Sequence, residues 1–236
     1  NQYETEAMAE LFADSGYEIK EFTEVADVYV INTCSVTNMG DRKSRQIIRR
    51  AKKLNPNAVI AVTGCYAQTA PDEVLAIEGV NLVLGTKDRK NIVTLVEELN
   101  TESNINHVSD IMSNHEFEEL QIKQYSNRTR AFIKIQEGCN QFCSYCIIPY
   151  ARGPVRSRAK DDVVREIKEL AHNGFKEIIL VGIHVASYGV DLGDTTLESL
   201  IMDVDKIDGV ERIRLSSIEP MTLNQEFIDS IKDSKK

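Results

Sequence analysis

The sequence has no apolar run that approaches the roughly 20 residues needed to cross a bilayer. It also has no basic-then-apolar leader of the kind that directs secretion. A hydrophobic fraction of 42% supports a core, and 28% charged residues support a hydrated surface. We therefore expect a protein without a membrane partner that works in the cytoplasm.

The ends of the chain are abrupt. Residues 1–6 already have the pattern of the first turn of a helix, and the chain stops directly after Ser234, Lys235 and Lys236. We therefore expect the chain to be a piece of a longer protein, truncated at both ends.

Cysteine is scarce and odd in number. An odd count without an export signal argues against a disulfide framework and favours metal or redox chemistry in a reducing compartment. The five cysteines are Cys34, Cys65, Cys139, Cys143 and Cys146.

Positive charge is also in deficit, because the formal net charge is −9. Such a balance argues against an ordinary nucleic-acid surface, which needs Lys and Arg to neutralise phosphates. The segment from Arg128 to Lys160 departs from this negative balance, because it has seven basic residues and one acidic residue, Glu137. This strip is either a solvated basic surface or an anion site for phosphate or carboxylate. Its basic residues are Arg128, Arg130, Lys134, Arg152, Arg156, Arg158 and Lys160.

Residues 1–99 alternate between helical and buried-strand patterns, which predicts an N-terminal α/β domain. Continuous apolar runs are typical of parallel strands that are covered on both faces. We expect an open parallel sheet of the flavodoxin or Rossmann-like, doubly wound kind. The predicted strands are 28–31, 58–62 and 80–84, and the predicted helices are 5–13, 42–54, 71–77 and 92–99.

A second domain is predicted over residues 128–236, after a polar segment, 100–127, that reads as a linker or an added hairpin. Its strand–helix repeats suit a (β/α) barrel with functional groups on the loops after the strands. Three repeats cannot close a barrel, so we expect only its N-terminal part. The predicted strands are 131–136, 177–181 and 211–215, and the predicted helices are 161–173, 197–207 and 223–232.

The most specific chemical pattern is GCNQFCSYC, residues 138–146, directly after the first strand of the second domain. Three thiolates spaced by four and three residues can bind three irons of a 4Fe–4S cube and leave the fourth iron open for a cofactor. Gly138 lets the backbone approach such a cluster closely. The alternatives are buried thiols or a zinc site, with His172 or His184 as the fourth ligand.

Two further cysteines each follow an apolar strand of the first domain. Cys34 lies in NTCSVT, residues 32–37, and Cys65 in TGCYAQ, residues 63–68. Loops at the carboxyl edge of a parallel sheet converge, so these two cysteines can meet. The alternative is a pair of unrelated, buried, small residues.

The pattern from Cys139 to Cys146 resembles the signature of the radical S-adenosylmethionine superfamily. The resemblance implies that the open iron binds the methionyl amino and carboxylate groups, and that reduction yields a 5′-deoxyadenosyl radical. It implies that Tyr145 packs near the adenine and that Gly182 and His184 lie near the methionyl amino group. His184 departs from the acidic residue common there, and the alternative is a structural histidine.

The two domains together resemble the methylthiotransferases, which carry a second 4Fe–4S cluster on three cysteines of the N-terminal domain. Cys34 and Cys65 match two of these ligands, and the remaining one would fall just before Asn1. The resemblance implies tRNA as a partner, an electron donor such as a flavodoxin or ferredoxin, and a sulfur donor. Within PYARGPVRSR, residues 149–158, the resemblance makes three arginines plausible anion contacts, namely Arg152, Arg156 and Arg158.

Residues 1–6 and 182–189 are most similar to one branch of this family. That branch methylthiolates carbon 2 of N6-threonylcarbamoyladenosine beside the tRNA anticodon, and the added carboxylate of this substrate suits a basic strip. The alternatives are isopentenyladenosine in tRNA or an aspartate of a ribosomal protein as substrate. A further alternative is a metal-binding module without catalytic activity.

Overall fold

The computed structural model describes residues 2–35, 38–99, 104–120 and 130–236. The chain forms two compact units that interleave along the sequence. The first comprises Asn1–Asn114, Glu118–Lys123 and Gln141–Gly153. The second comprises His115–Phe117, Gln124–Asn140 and Pro154–Lys236. The later part of the GCNQFCSYC segment therefore belongs to the first unit, although it follows a strand of the second.

A parallel four-stranded sheet organises the first unit, with its strands in the order β1-β2-β3-β4. These strands are β1 (Val28–Thr33), β2 (Val59–Gly64), β3 (Leu82–Leu84) and β4 (Ile105–His107). Its helices are α1 (Gln2–Asp14), α2 (Asn38–Leu54), α3 (Cys65–Thr69), α4 (Pro71–Leu75), α5 (Ile92–Glu97) and α6 (Ile148–Arg152). Short 3₁₀ helices span Arg89–Asn91 and Ile111–Ser113.

Both faces of this sheet are covered by apolar side chains. Alternation along β2 sends Ile60 and Val62 into one core cluster, which Ile48 of α2 also enters. Ala61 joins the other cluster, with Met8 of α1 and Ile92 of α5. Because both faces are buried, the strands read as continuous apolar runs, and the prediction of an open parallel α/β sheet is confirmed.

Strand β4 differs from the sequence-based expectation, because it lies within the segment that we expected to be a linker or hairpin. The amide of Ile105 donates to the carbonyl of Asn81 at 2.9 Å, and the strand pairs in parallel with β3. All three residues of β4 are exposed. A short exposed strand has neither the alternation nor the apolar run by which strands are recognised, so its pairing was invisible in the sequence.

The second unit holds a sheet in the order β6-β5-β7-β8, in which β5, β7 and β8 are parallel and β6 pairs antiparallel with β5. The strands are β5 (Arg130–Glu137), β6 (Arg156–Ser157), β7 (Glu177–Gly182) and β8 (Arg212–Leu215). The helices are α7 (Lys160–His172), α8 (Leu197–Asp205) and α9 (Gln225–Ile231), with 3₁₀ helices at Val185–Ser187 and Pro220–Thr222.

The expected strand–helix repeats of the second unit are confirmed, each within a few residues of the predicted ends. Strand β6 was not expected, because two residues cannot carry a periodic pattern. No helix in the described part of the chain is both long and apolar enough to span a membrane.

Candidate functional site

Cys34 and Cys65 follow neighbouring parallel strands. Thr33 of β1 pairs with Gly64 of β2 at the carboxyl end of both strands, so each cysteine comes one residue beyond a paired position. Cys65 is buried, at 4% exposure, and Cys34 is half-buried. The backbone pairing thus carries these two cysteines to the same edge of the sheet, as the strand pattern predicted.

Gly64 makes the sharp transition from β2 into α3 possible. Its φ is +97°, and a Cβ at this position would lie 2.6 Å from Oδ1 of Asn32. The Thr33 hydroxyl donates to the carbonyl of Thr63 at 2.6 Å and accepts from the amide of Ala67 at 3.3 Å. Glycine is therefore required before Cys65, because another residue would be strained and would clash with the neighbouring strand.

Arg152 contacts the sulfur of Cys65. Its Nε donates to Sγ at 3.1 Å, and its two Nη atoms pair with the carboxylate of Glu4, with Nη2 at 3.1 Å from Oε2. Arg152 is 3% exposed and Glu4 is 1% exposed. The structure thus places Arg152, an expected anion contact, beside a thiol and a buried carboxylate of its own unit.

The buried charges continue beyond Glu4. Nη1 of Arg89 lies 2.6 Å from Oε1 of Glu4, and Nε of Arg89 lies 2.8 Å from Oε2 of Glu118. We call Glu4, Arg89, Glu118 and Arg152 the buried charge network. Glu4 and Arg89 were not recognisable in the sequence, because an acid in the first turn of a helix and an isolated arginine ordinarily indicate solvated surface.

The GCNQFCSYC segment begins where β5 ends. Gly138 has a φ of +75°, and Cys139 directly after it is buried. Cys143 is exposed and Cys146 is half-buried, and the amide of Cys146 donates to the carbonyl of Cys143 at 2.9 Å. Tyr145 is 91% exposed.

The five cysteines all lie in the described ranges, and no disulfide joins any two of them. Among the described residues, no three His, Cys, Asp or Glu side chains are grouped so as to hold a metal ion. The donor chemistry nevertheless fits an iron–sulfur cluster, because three soft thiolates on one short segment suit iron rather than magnesium or calcium.

His184 is engaged within its own unit. Its Nδ1 lies 2.6 Å from Oγ of Ser187, and its Nε2 lies 3.3 Å from Oε2 of Glu219. Nδ1 therefore has a hydrogen-bond partner, whereas Nε2 is buried without a hydrogen bond among the described residues and has the Glu219 carboxylate nearby. Glu219 adds a carboxylate beside the position where the resemblance expects an acidic residue.

Gln136 forms hydrogen bonds to both loops that were expected to bind the cofactor. Its buried Nε2 donates to the carbonyl of Gly138 at 2.7 Å, and its Oε1 accepts from the amide of His184 at 2.8 Å. A Cβ on Gly182 would lie 2.9 Å from that Oε1, so only glycine leaves room there. Gln136 was not recognisable as a functional residue in the sequence, where its only signal was a polar residue at the end of an apolar strand.

Ser157 and Arg158, at the end of PYARGPVRSR, contact the segment 182–189 within the second unit. The amide of Gly189 donates to the Ser157 hydroxyl at 2.8 Å, and the Tyr188 hydroxyl donates to the carbonyl of Arg158 at 2.9 Å. Burial raises the pKa of Tyr188, so its hydroxyl stays neutral and available as a donor.

The reading of the basic strip as a solvated surface is wrong for its central residues. Arg152, Arg156 and Arg158 are all buried. Arg158 pairs with Glu166, and Nη1 of Arg156 donates to the carbonyl of Pro154 at 3.0 Å. Charge counted along a window of sequence misses acids that other elements bring into contact, as Glu4 does for Arg152 and Glu166 for Arg158. Arg128 lies outside the described residues.

Two family models match the chain. The family described as "Uncharacterized protein family UPF0004" matches residues 1–85, and the Radical SAM superfamily matches residues 133–236. The two matches follow the order of the two domains that the sequence predicted.

Curated relatives match over the full chain. The threonylcarbamoyladenosine tRNA methylthiotransferase MtaB of Bacillus subtilis (strain 168) is 50% identical, with 100% of this chain and 53% of the relative covered. MtaB of Aquifex aeolicus (strain VF5) is 41% identical, with 100% and 58% covered. The tRNA-2-methylthio-N(6)-dimethylallyladenosine synthase of Thermoanaerobacter pseudethanolicus is 37% identical, with 100% and 51% covered. The chain thus spans about half the length of the curated relatives it matches.

A solved structure shares the fold. It is the radical S-adenosylmethionine methyltransferase TsrM of Kitasatospora setae, with tryptophan substrate and the analogue aza-SAM bound. It is 16% identical, with a TM-score of 0.61, and the match covers 97% of this chain and 54% of that one. In the order of its two matched family models and over its full length, the chain is thus similar to tRNA methylthiotransferases.

Proposed function

We propose that the protein containing this chain is a tRNA methylthiotransferase acting on carbon 2 of N6-threonylcarbamoyladenosine beside the anticodon. The observation that carries the proposal is the 50% identity, over the whole chain, to a relative named for that substrate. Identity to the relative named for dimethylallyladenosine is lower, at 37%. Cysteines at the carboxyl ends of strands in both units agree with this assignment.

Cys139, Cys143 and Cys146 would hold a 4Fe–4S cluster together with S-adenosylmethionine. Cys34 and Cys65 would supply two ligands of a second 4Fe–4S cluster, whose remaining ligand is not among the residues described above. When bound, the first cluster supplies the electron that cleaves S-adenosylmethionine and so opens an unreactive C–H bond to substitution.

Other residues of this chain would position the groups that take part in this reaction. Gln136 fixes the carbonyl of Gly138 and the amide of His184, so the start of the cysteine segment and the loop after β7 keep one mutual arrangement. Tyr145 can lie against the adenine because its ring is exposed. Gly182 and His184 would border the methionyl group, and Oε2 of Glu219 lies 3.3 Å from Nε2 of His184.

Arg152, Arg156 and Arg158 are buried and cannot reach an RNA phosphate. We therefore assign the contacts with RNA to other residues. A base beside the anticodon can leave its stack and enter a site of this kind. The proposal also includes an electron donor such as a flavodoxin or ferredoxin, a sulfur donor, and a cytoplasmic location.

Nucleoside mass spectrometry of tRNA from a strain that lacks the gene tests the substrate. We expect methylthio-threonylcarbamoyladenosine to disappear and to return when the full-length gene, but not its Cys143→Ala variant, is restored. An unchanged level of this nucleoside would contradict the proposal. Loss of methylthio-isopentenyladenosine, or of a methylthiolated ribosomal-protein aspartate, would move the protein to another branch.

Anaerobic reconstitution followed by iron and sulfide analysis tests the chemical class. We expect iron and sulfide in the ratio of 4Fe–4S clusters, with visible absorbance. Stoichiometric zinc without visible absorbance would instead indicate a metal-binding module without catalytic activity.

A further inference from the structure

Arg152 presents a cationic donor to the sulfur of Cys65 in a buried part of the first unit. The Nε–Sγ distance is 3.1 Å, and both residues are buried. A neutral thiol is a weak acceptor, whereas a thiolate is a strong one, and charge-assisted hydrogen bonds are the stronger kind. The contact therefore places a charged hydrogen-bond donor on the sulfur that would be a ligand of the second cluster.

Glu4 fixes the orientation of the guanidinium. The two Nη atoms of Arg152 pair with the two carboxylate oxygens of Glu4. A planar guanidinium that is held at both Nη atoms cannot rotate, so the N–H on Nε of Arg152 keeps its direction towards the sulfur. A lysine at this position could supply charge but could not contact both partners in this fixed geometry.

The buried charge network reaches the sulfur through Arg152. From Glu118 inwards, its members alternate in charge as Glu118, Arg89, Glu4 and Arg152, each in contact with the next. Cys65 is the next group in contact with Arg152. The guanidinium thus lies between the Glu4 carboxylate and the Cys65 sulfur, and it contacts both.

The backbone around Arg152 is also anchored. Arg152 ends α6, and the Thr86 hydroxyl donates to the carbonyl of Ala151 at 2.7 Å. The amide of Gly153 donates to the carbonyl of Pro149 at 2.8 Å, with Gly153 at a φ of +69°. Arg152 therefore approaches Cys65 from a fixed helix end rather than from a loose loop.

We propose that Arg152 is a positioning residue for the second cluster, holding the Cys65 sulfur in place and raising the reduction potential of the iron bound to it. The proposal rests on the proposed role of Cys65 as a cluster ligand. A hydrogen bond to a ligand sulfur stabilises the reduced, more negative cluster, so its loss lowers the midpoint potential.

The test uses the full-length protein with Cys139, Cys143 and Cys146 replaced by alanine, so that only the second cluster is present. Its midpoint potential is measured by redox titration followed by electron paramagnetic resonance. For Arg152→Gln we expect a roughly tenfold lower reduced-to-oxidised ratio at a fixed potential, which is about 59 mV for a one-electron couple.

Arg89→Gln is the matched control, because Arg89 contacts the same Glu4 without contacting the sulfur. It removes a buried cation of the same network, so it lowers the melting temperature while leaving the midpoint close to that of the unchanged protein. Equal midpoint shifts in Arg89→Gln and Arg152→Gln would overturn the proposal, because they would show a general effect of the network.

Arg152→Lys keeps the positive charge but loses the planar guanidinium. We therefore expect its midpoint potential to lie between those of the unchanged protein and Arg152→Gln. If Arg152→Gln fails to fold, a lysine variant with an unchanged midpoint overturns the proposal. Absence of iron from the background protein would refute the second cluster itself, and the inference with it. A cluster that is present but insensitive to Arg152 would refute the inference alone.

Discussion

Cys65 is buried at the end of a parallel strand and accepts a hydrogen bond from Arg152, whereas Cys143 is exposed on a segment whose Tyr145 is 91% exposed. The first cysteine is placed by strand pairing and a buried charge network, and the second by the short spacing of its motif. Burial suits a resident group that stays bound. Exposure suits a site that must admit a fresh S-adenosylmethionine at each turnover.

The largest expected effect separates the two groups of cysteines by substitution. Cys143→Ala should reduce the formation of 5′-deoxyadenosine to background, because the proposed radical site loses one of three ligands. Cys34→Ala should spare that formation and stop methylthio insertion. Both products are measured by mass spectrometry after reconstitution under anaerobic conditions.

Equal loss of 5′-deoxyadenosine in the two variants would contradict the separation of the cysteines into two groups, since it would show that they serve one site. Iron content of each variant is the control, and we expect each to retain part of the iron of the unchanged protein.

The next effect concerns Gly64, where β2 turns towards Cys65. Gly64→Ala adds a Cβ at a φ of +97°, close to Asn32 and to the backbone of Thr33. We expect it to lower the free energy of unfolding by about 3 kcal/mol or more, from strain and overlap together. Gly16→Ala is the control, because Gly16 has a φ of +91° with nothing within 4 Å.

Gly16→Ala should cost only about 1 kcal/mol, the conformational part alone. Chemical denaturation of the full-length protein measures both variants. If the two cost the same, the close approach of β1 and β2 at Gly64 does not constrain this position.

A smaller effect is expected at Gln136, in the second unit. Gln136→Leu keeps the volume but leaves the amide of His184 and the carbonyl of Gly138 without this partner. We expect a loss of about 2 kcal/mol in stability and weaker binding of S-adenosylmethionine, measured by calorimetry.

Gln68→Leu is the matched control for Gln136→Leu, because the side chain of Gln68 also joins two backbone segments by hydrogen bonds, in the first unit. Its Oε1 accepts from the amide of Thr86 and its Nε2 donates to the carbonyl of Ser109, both at 2.9 Å. We expect it to lower stability without changing the affinity for S-adenosylmethionine. Weaker cofactor binding in both variants would indicate a general loss of packing.

The smallest effect is expected at Tyr188. Tyr188→Phe removes one neutral hydrogen bond to the carbonyl of Arg158 and keeps the buried ring. We expect a loss of about 1 kcal/mol, seen as a lower denaturation midpoint with an unchanged slope. Because burial raises the pKa of this hydroxyl, the stability difference between the unchanged protein and Tyr188→Phe should not vary between neutral and mildly alkaline pH.

Regular elements with long buried runs were predictable, as β1, β2 and α7 show by agreeing with expectation to within a few residues. Several short elements were not predictable, although β3 and α4 were. Strands β4 and β6 have three and two residues, and α6 has five, so none is long enough to repeat its hydrophobic period. Their positions follow from contacts with other segments.

The sequence by itself determined the two α/β units and the pattern of thiols, because periodicity and close spacing are local properties of a chain. Only the tertiary structure decided that Arg152 contacts Cys65 and Glu4, and that Gln136 joins Gly138 to His184. These partners are up to 148 residues apart in the chain. Buried polar groups must find partners wherever the fold brings them, and no local pattern records which ones those are.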